Sequence, residues 1–331
     1  MSNKTRILCI TLAAIFILSL PFYLSSGALL DDERNRLLDE MPGEGADLMD
    51  LLVSSAKAEA AVPAPAPLPM DFSPGLKPNP AAFSESGYQD ASIALTLETQ
   101  SQEGVVWRIA YVTISDPSQL RTATAGKPGS TRVALISSMA EKFNAVVAIN
   151  ANYMANDPEK TSFEYRMGEK VRARYNKVKD LLITDENGDF HIFVQSGKEE
   201  VQGFLNAGHT IINAFTFGPA LIKDSVLLDL DPNYSYNPHG REPRMAIGQL
   251  DKLSYVIVLA EGRTQASQGV THIELADFMY ALGCRQAFNF DGGNSATFIF
   301  NGGYYQDKSL SNERAQSDML YFATLVAPEG W

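Results

Sequence analysis

Proline can neither donate to a β-ladder nor continue a helix, and this chain gathers much of its proline between Val62 and Pro80. The run Pro63 to Pro67, Pro-Ala-Pro-Ala-Pro, favours an extended polyproline II spacer with a rise of about 3.1 Å per residue. No comparable stretch recurs, so the chain divides into an N-terminal part and one long segment, residues 84–328, of a size that takes a single core. With 45% hydrophobic and 20% charged residues such a core can be built, and disorder, collagen and repeat arrays are excluded.

Ahead of the spacer, Ile7 to Leu24 is uncharged and almost wholly apolar, with Lys4 and Arg6 before it and Asp31-Asp32-Glu33 after it. A run of about 18 apolar residues can just span a bilayer, whereas cleavable signal cores usually have about 7–15. The length favours a retained anchor, and the small residues Ser26-Gly27-Ala28 leave cleavage open. Residues 1–30 are therefore expected to be a signal anchor or signal peptide, residues 31–83 an acidic spacer and proline-rich linker, and residues 84–328 an extracytoplasmic domain, membrane-anchored or secreted. The formal net charge of −12 is the wrong sign for neutralising phosphates along nucleic acid, so no nucleic-acid partner is expected. Cys9 lies in the apolar run, which leaves Cys284 as the one thiol of the domain; a disulfide scaffold and a zinc-thiolate site are excluded, and burial of Cys284 is expected.

Within the domain, Val105 to Ile114 alternates as a half-buried strand, and Thr131 to Phe143 carries apolar residues at helical spacing. Ala145 to Ile149 reads as a buried strand. Two hairpins follow, Leu181–Thr184 with Phe190–Val194 and Met245–Gln249 with Leu253–Leu259. Thr271 with Glu274 forms a capping box for a helix from Ile273 to Leu282, ended by Gly283, and Gln286–Phe290 and Ala296–Phe300 are further strands. The expected fold is α+β, a strand-rich mixed-sheet domain with few helices.

The strongest local signal is Asn289-Phe290-Asp291-Gly292-Gly293-Asn294-Ser295-Ala296-Thr297, a carboxylate and two amides at the end of a buried strand. Two glycines after an acid let backbone N–H groups approach an oxygen-rich ligand such as a sugar or phosphate; the same residues also suit a plain Asx-turn. Together with Arg241-Glu242-Pro243-Arg244-Met245-Ala246-Ile247-Gly248, Glu261-Gly262-Arg263, Gly269-Val270-Thr271, Glu274-Leu275-Ala276 and Asn301-Gly302, this segment resembles the phosphodiester glycosidase family. Weaker matches lie at Ala148–Tyr153, Phe217–Asp224 and Glu313-Arg314, so the resemblance covers most of residues 130–327. The chain departs from the family pattern where loop glycines give way to Ala151-Asn152 and Asn294, and Asn best tolerates the left-handed backbone that such glycines adopt.

What the resemblance implies is hydrolysis of the bond between a sugar's anomeric carbon and a phosphodiester. The leaving phosphate monoester needs little protonation, so binding its charge matters more than in ordinary glycosides. Asp291 is the first choice for the nucleophile or base, Glu274 the second, and Arg244 the bidentate phosphate group. Asn150, Asn152, Arg263, Thr271, Asn289, Gly292, Gly293, Asn294, Ser295 and Arg314 are the expected substrate-binding residues. The four histidines, His191, His209, His239 and His272, show no pair at metal-ligand spacing on one element, so no metal and no other cofactor is expected. The expected partner is a phosphorylated carbohydrate, in envelope polymer or exopolysaccharide. The alternative reading is a non-catalytic carbohydrate-binding or envelope-organising module on the same fold.

Overall fold

In the computed structural model, which describes residues 65–152, 163–175, 178–195, 197–307 and 313–328, the run Tyr255–Ala260 is buried along its whole length. The pleat explains this: Tyr255, Ile257 and Leu259 face one core, while Val256, Val258 and Ala260 face another. A strand covered on both sides reads as a continuous apolar run rather than as an alternation.

In chain order the strands begin with β1 (Phe83–Ser84), β2 (Gly87–Gln89), β3 (Ile93–Gln102), β4 (Val105–Ile114) and β5 (Leu120–Thr124), followed by helix α1 (Ile136–Lys142). β6 (Val147–Asn150), β7 (Phe163–Arg166), β8 (Glu169–Ala173), β9 (Asp180–Asp185) and β10 (Phe190–Phe193) lead to α2 (Lys198–Asn206). β11 (Ile211–Phe217), β12 (Ala220–Lys223), β13 (Val226–Leu227), β14 (Arg244–Asp251) and β15 (Ser254–Ala260) precede α3 (His272–Ala281). β16 (Gln286–Phe290), β17 (Phe298–Phe300), β18 (Gly303–Tyr304) and β19 (Asp318–Phe322) follow. They form a nine-stranded sheet, β1-β2-β3-β4-β15-β14-β16-β12-β13, and two five-stranded sheets, β10-β9-β11-β7-β8 and β18-β17-β6-β19-β5. One core lies between the long sheet and the two smaller ones. α3 covers the other face of the long sheet, where Phe278 stacks on Trp107 at 3.7 Å. α2 and α1 contribute to smaller clusters on the two five-stranded sheets.

The strand-rich α+β class is as expected, but the sheets are not mixed: every strand pairing among the described residues is antiparallel. The reason recurs three times. Each helix joins two strands that run the same way, and a third, antiparallel strand is seated between them: β19 between β5 and β6, β9 between β10 and β11, β14 between β15 and β16. A strand–helix–strand unit therefore never closes into a parallel pair.

The domain also starts earlier than the linker reading placed it. Residues from Pro65 onward belong to the same compact unit as the rest of the domain. Leu68 is buried beside Phe143 and Tyr321, and Leu76 bridges to Thr324. Arg121, wholly buried, donates Nη1 to the Pro69 carbonyl (3.0 Å) and Nη2 to those of Asp71 (2.9 Å) and Ser73 (3.1 Å). Proline removes a donor but keeps its carbonyl, so a buried arginine can fasten a proline-rich segment that cannot join a sheet. The expected membrane segment and acidic spacer lie outside the described residues; among those described, no helix is long and apolar enough to cross a membrane.

Cys284 is buried, and burial pushes its thiol up to about 12. It packs where Gly248 leaves room, since a Cβ there would come within 2.5 Å of its sulfur. The helix predicted from Thr131 begins only at Ile136, whereas the Thr271–Glu274 capping box forms as read.

Candidate active site

β16, in the long sheet, ends at Phe290, and the chain then crosses to β17 in a five-stranded sheet through Asp291 to Thr297. Asn150, at the end of β6 and fully buried, staples this crossing. Its Nδ2 donates to the Asp291 carbonyl (2.7 Å) and its Oδ1 accepts from the Thr297 amide (2.9 Å). Gly292 lies so close to Pro243 that a Cβ would meet the Pro243 carbonyl oxygen at 2.4 Å, and the Gly293 amide donates to that same oxygen (2.8 Å). Asn150, Gly292 and Gly293, expected among the substrate-binding residues, shape and fasten the loop.

What the loop holds is the Asp291 carboxyl. Its Oδ2 is buried and has no hydrogen-bond partner. Burial pushes its pKa above the ordinary value, against the pull of the Ser295 hydroxyl, the Arg314 charge, the Gly292 amide and the Arg244 charge. An unpaired, partly desolvated carboxylate oxygen is costly to keep and suits a group that attacks a carbon or takes a proton. Ser295 is wholly buried beneath it, and Arg314 donates Nη1 to Ser295 Oγ over a long 3.4 Å. Arg314 is exposed, and this is its one hydrogen bond as donor through the guanidinium among the described residues.

Arg244 does the opposite. A guanidinium has five N–H donors. Nε donates to the Val270 carbonyl (3.2 Å), Nη1 to the Tyr236 carbonyl (3.1 Å) and to His272 Nε2 (2.9 Å), and Nη2 to the carbonyls of Asn237 (2.7 Å) and Gly240 (3.1 Å). All five are used. Burial lowers its pKa to about 10, which leaves it charged at neutral pH. The bidentate phosphate contact expected of Arg244 thus gives way to a clamp on the 236–240 loop, through which it still places positive charge near Asp291.

Glu274 and Thr271 lie apart from this centre. Thr271 donates its amide (2.8 Å) and hydroxyl (3.0 Å) to Glu274 Oε2, and accepts from the Glu274 amide (3.2 Å). The other Glu274 oxygen pairs with Arg241. Both residues cap α3, and Glu274 borders a cleft lined by Gln102, Trp107 and Asp277 among others, in which Asp291 takes no part. At the rim, Arg263 donates Nη1 to Asn294 Oδ1 (2.9 Å) and Nε to Glu242 Oε2 (2.6 Å), and remains half exposed. The left-handed backbone expected at the asparagine replacements falls instead on Gly293 (φ 57°) and Arg263 (φ 60°). Asn289 donates to the Gly218 carbonyl (2.8 Å) while its Oδ1 stays buried and unpaired. Asn152 gives its amide to Asp318 (3.3 Å), and its Oδ1 is likewise unpaired.

Asp291, Ser295 and the exposed Arg314 all lie on or next to segments that the chain shares with known proteins. The profile of the phosphodiester glycosidase (NAGPA) family matches residues 143–323, more than half of the chain. The chain belongs to this family. A relative in Bacillus subtilis (strain 168), the SPbeta prophage-derived uncharacterized protein YomE, is 29% identical over 196 residues, which are 58% of this chain and 30% of that protein. The matched region thus spans under a third of that relative's length. Among solved structures, the zebrafish N-acetylglucosamine-1-phosphodiester alpha-N-acetylglucosaminidase catalytic domain, auto-inhibited by its pro-peptide, superposes with a TM-score of 0.56 at 16% identity, over 72% of this chain and 87% of that one. At that identity the likeness concerns the fold.

The phosphodiester glycosidase domain also holds groups that the sequence did not single out. His272 accepts from Arg244, which puts its proton on a buried Nδ1 without a partner, and burial next to the Arg244 charge pushes its pKa down to about 3. Lys179 has a buried, unpaired Nζ over the ring of Tyr236 (3.9 Å), and burial lowers its pKa to about 8. Nothing near Lys179 in the sequence marks it, because Tyr234 and Tyr236 arrive from more than fifty residues away.

Proposed function

We propose that this domain hydrolyses the bond between a sugar's anomeric carbon and a phosphodiester, with Asp291 as nucleophile or as the base that activates water. The observation that carries the reading is the buried, unpartnered Asp291 Oδ2 at the end of β16. Arg314 and the exposed part of Arg263 supply donors for the phosphate, which becomes a monoester as it leaves. Ser295 holds the carboxylate, and Arg244 adds charge from behind without touching the ligand. The unpaired Asn289 and Asn152 oxygens are the acceptors for sugar hydroxyls. Membership of a family that includes an N-acetylglucosamine-1-phosphodiester glycosidase supports this substrate class. The apolar run before the domain supports action outside the cytoplasm, on a phosphate-linked sugar of envelope polymer or exopolysaccharide.

One observation favours the binding-module reading: Arg244, expected to grip phosphate, has no donor to spare. Release of free sugar from a synthetic sugar-1-phosphodiester separates the two. The hydrolase reading expects turnover by the wild type and a fall of roughly 10²–10⁴-fold in Asp291→Asn. A wild type that binds the compound without cleaving it would establish the module instead.

A further inference from the structure

Three side chains that are scattered in the sequence meet at one end of the sheet β10-β9-β11-β7-β8, apart from the residues around Asp291. Asp185 closes the strand β9 and is buried. Its Oδ1 accepts from the amides of Asn187 and Asp189 (2.9 Å each), which fixes the turn and the carboxylate plane. Its Oδ2 faces two imidazoles. His191 Nε2, from β10 on one side, lies at 3.0 Å, and His209 Nδ1, from the approach to β11 on the other side, at 3.4 Å. The three donor atoms all lie within 4.8 Å of one another.

We propose that Asp185, His191 and His209 bind one divalent cation of the zinc class. Metal–nitrogen and metal–oxygen distances of about 2.0–2.2 Å place the donors of a tetrahedral site roughly 3.3–3.6 Å apart, and the contacts made by Oδ2 need only small shifts to reach that spacing. Two imidazoles and one carboxylate select a first-row transition ion over calcium or magnesium, which prefer oxygen throughout. The carboxylate is held in place as a ligand: Oδ1 is taken by the amides of Asn187 and Asp189, which leaves Oδ2 turned toward the two imidazoles. Both rings are also oriented. Phe204 of α2 stacks face to face on His209 (4.5 Å, 8°) and meets His191 edge-on (4.7 Å, 61°). The histidines are partly exposed, at 28% and 36%, so the ion has a path in and a water has room to complete the shell. Spacing along the chain hid the site because its ligands come from a strand end, the next strand and a helix exit.

Calorimetric titration of the metal-stripped, untagged full chain with Zn²⁺ tests this, with Co²⁺ absorption reporting the geometry. Expected are one ion per chain, the visible bands of four-coordinate Co²⁺, and a rise in melting temperature of roughly 5–10 °C at about 100-fold excess over Kd. His191→Gln and His209→Gln should each weaken binding by more than the roughly 10–100-fold typical of outer-sphere changes, while His239→Gln leaves it unchanged. Melting of both variants in chelator at the wild-type temperature shows that the fold is intact. If the wild type takes up no Zn²⁺, or if both variants bind as tightly as it does, the cluster is an ordinary Asp–His hydrogen bond and the proposal is wrong.

Discussion

Two acidic residues of matched motifs, Asp291 and Glu274, sit in opposite situations. Glu274 spends both oxygens on Thr271 and Arg241 at the partly exposed start of α3. Asp291 keeps one oxygen buried with no partner, at the end of a strand whose other residues are packed. A carboxylate that completes a cap lowers the energy of the fold, whereas a buried unpaired one raises it. The difference teaches where to look for chemistry: at the group whose local arrangement is poor for stability and is held in place by its surroundings.

The comparison breaks most visibly on turnover. Asp291→Asn should lose roughly 10²–10⁴-fold in sugar release while Glu274→Gln stays within about threefold, both measured on one sugar-1-phosphodiester. Equal losses would put the two carboxylates in one site and undo the assignment. Next in size is the clamp. Arg244→Met removes all five hydrogen bonds of a buried guanidinium that ties the 236–240 loop to the start of β14, and should cost about 3 kcal/mol or more in urea denaturation. Its exposed counterpart, Arg314→Lys, should leave stability within about 0.5 kcal/mol yet slow phosphodiester cleavage more than cleavage of a neutral aryl glycoside, because the planar fork is lost. Thr271→Ala should cost about 1 kcal/mol, as the loss of an N-cap does, with activity retained.

The smallest effect concerns pH. The folded pKa of Asp291 is raised above the ordinary 3.8, so the folded state holds this proton more tightly than the unfolded chain does. The associated stability is fully present below about pH 3.8 and is lost as pH rises through the folded value. Asp291→Asn should therefore be more stable than the wild type at neutral pH, with the gap closing as pH falls toward 3.8 in paired melting curves. A variant less stable than the wild type at neutral pH would mean that Asp291 serves the turn and not the reaction.

Features with local causes were legible in the sequence. The β14–β15 hairpin, the Thr271–Glu274 cap, the stop at Gly283 and the burial of Cys284 each depend on neighbours within a few residues or on simple apolarity. Asp291 stood out because an acid followed by two glycines ends a buried strand. What escaped depends on distant carbonyls. Arg244 looked like a phosphate fork because nothing in its motif shows that Tyr236, Asn237, Gly240 and Val270 turn their oxygens toward it. The proline-rich stretch from Pro65 looked like a free linker because its partner, Arg121, lies about fifty residues away. Antiparallel sheets were missed for a similar reason, since the strand that separates each helix-linked pair can come from far along the chain, as β19 does.

The contact between Gly292 and the Pro243 carbonyl bears on how such a pocket can diversify. Any side chain at position 292 would lever the loop, and Asp291 with it, away from the start of β14, so that position has no latitude. Two residues on, Asn294 is exposed, and its Oδ1 accepts from Arg263 at the rim. If the proposed hydrolysis holds, position 294 can be rewritten freely while position 292 stays closed to change, and the acid keeps its place whatever ligand the rim selects.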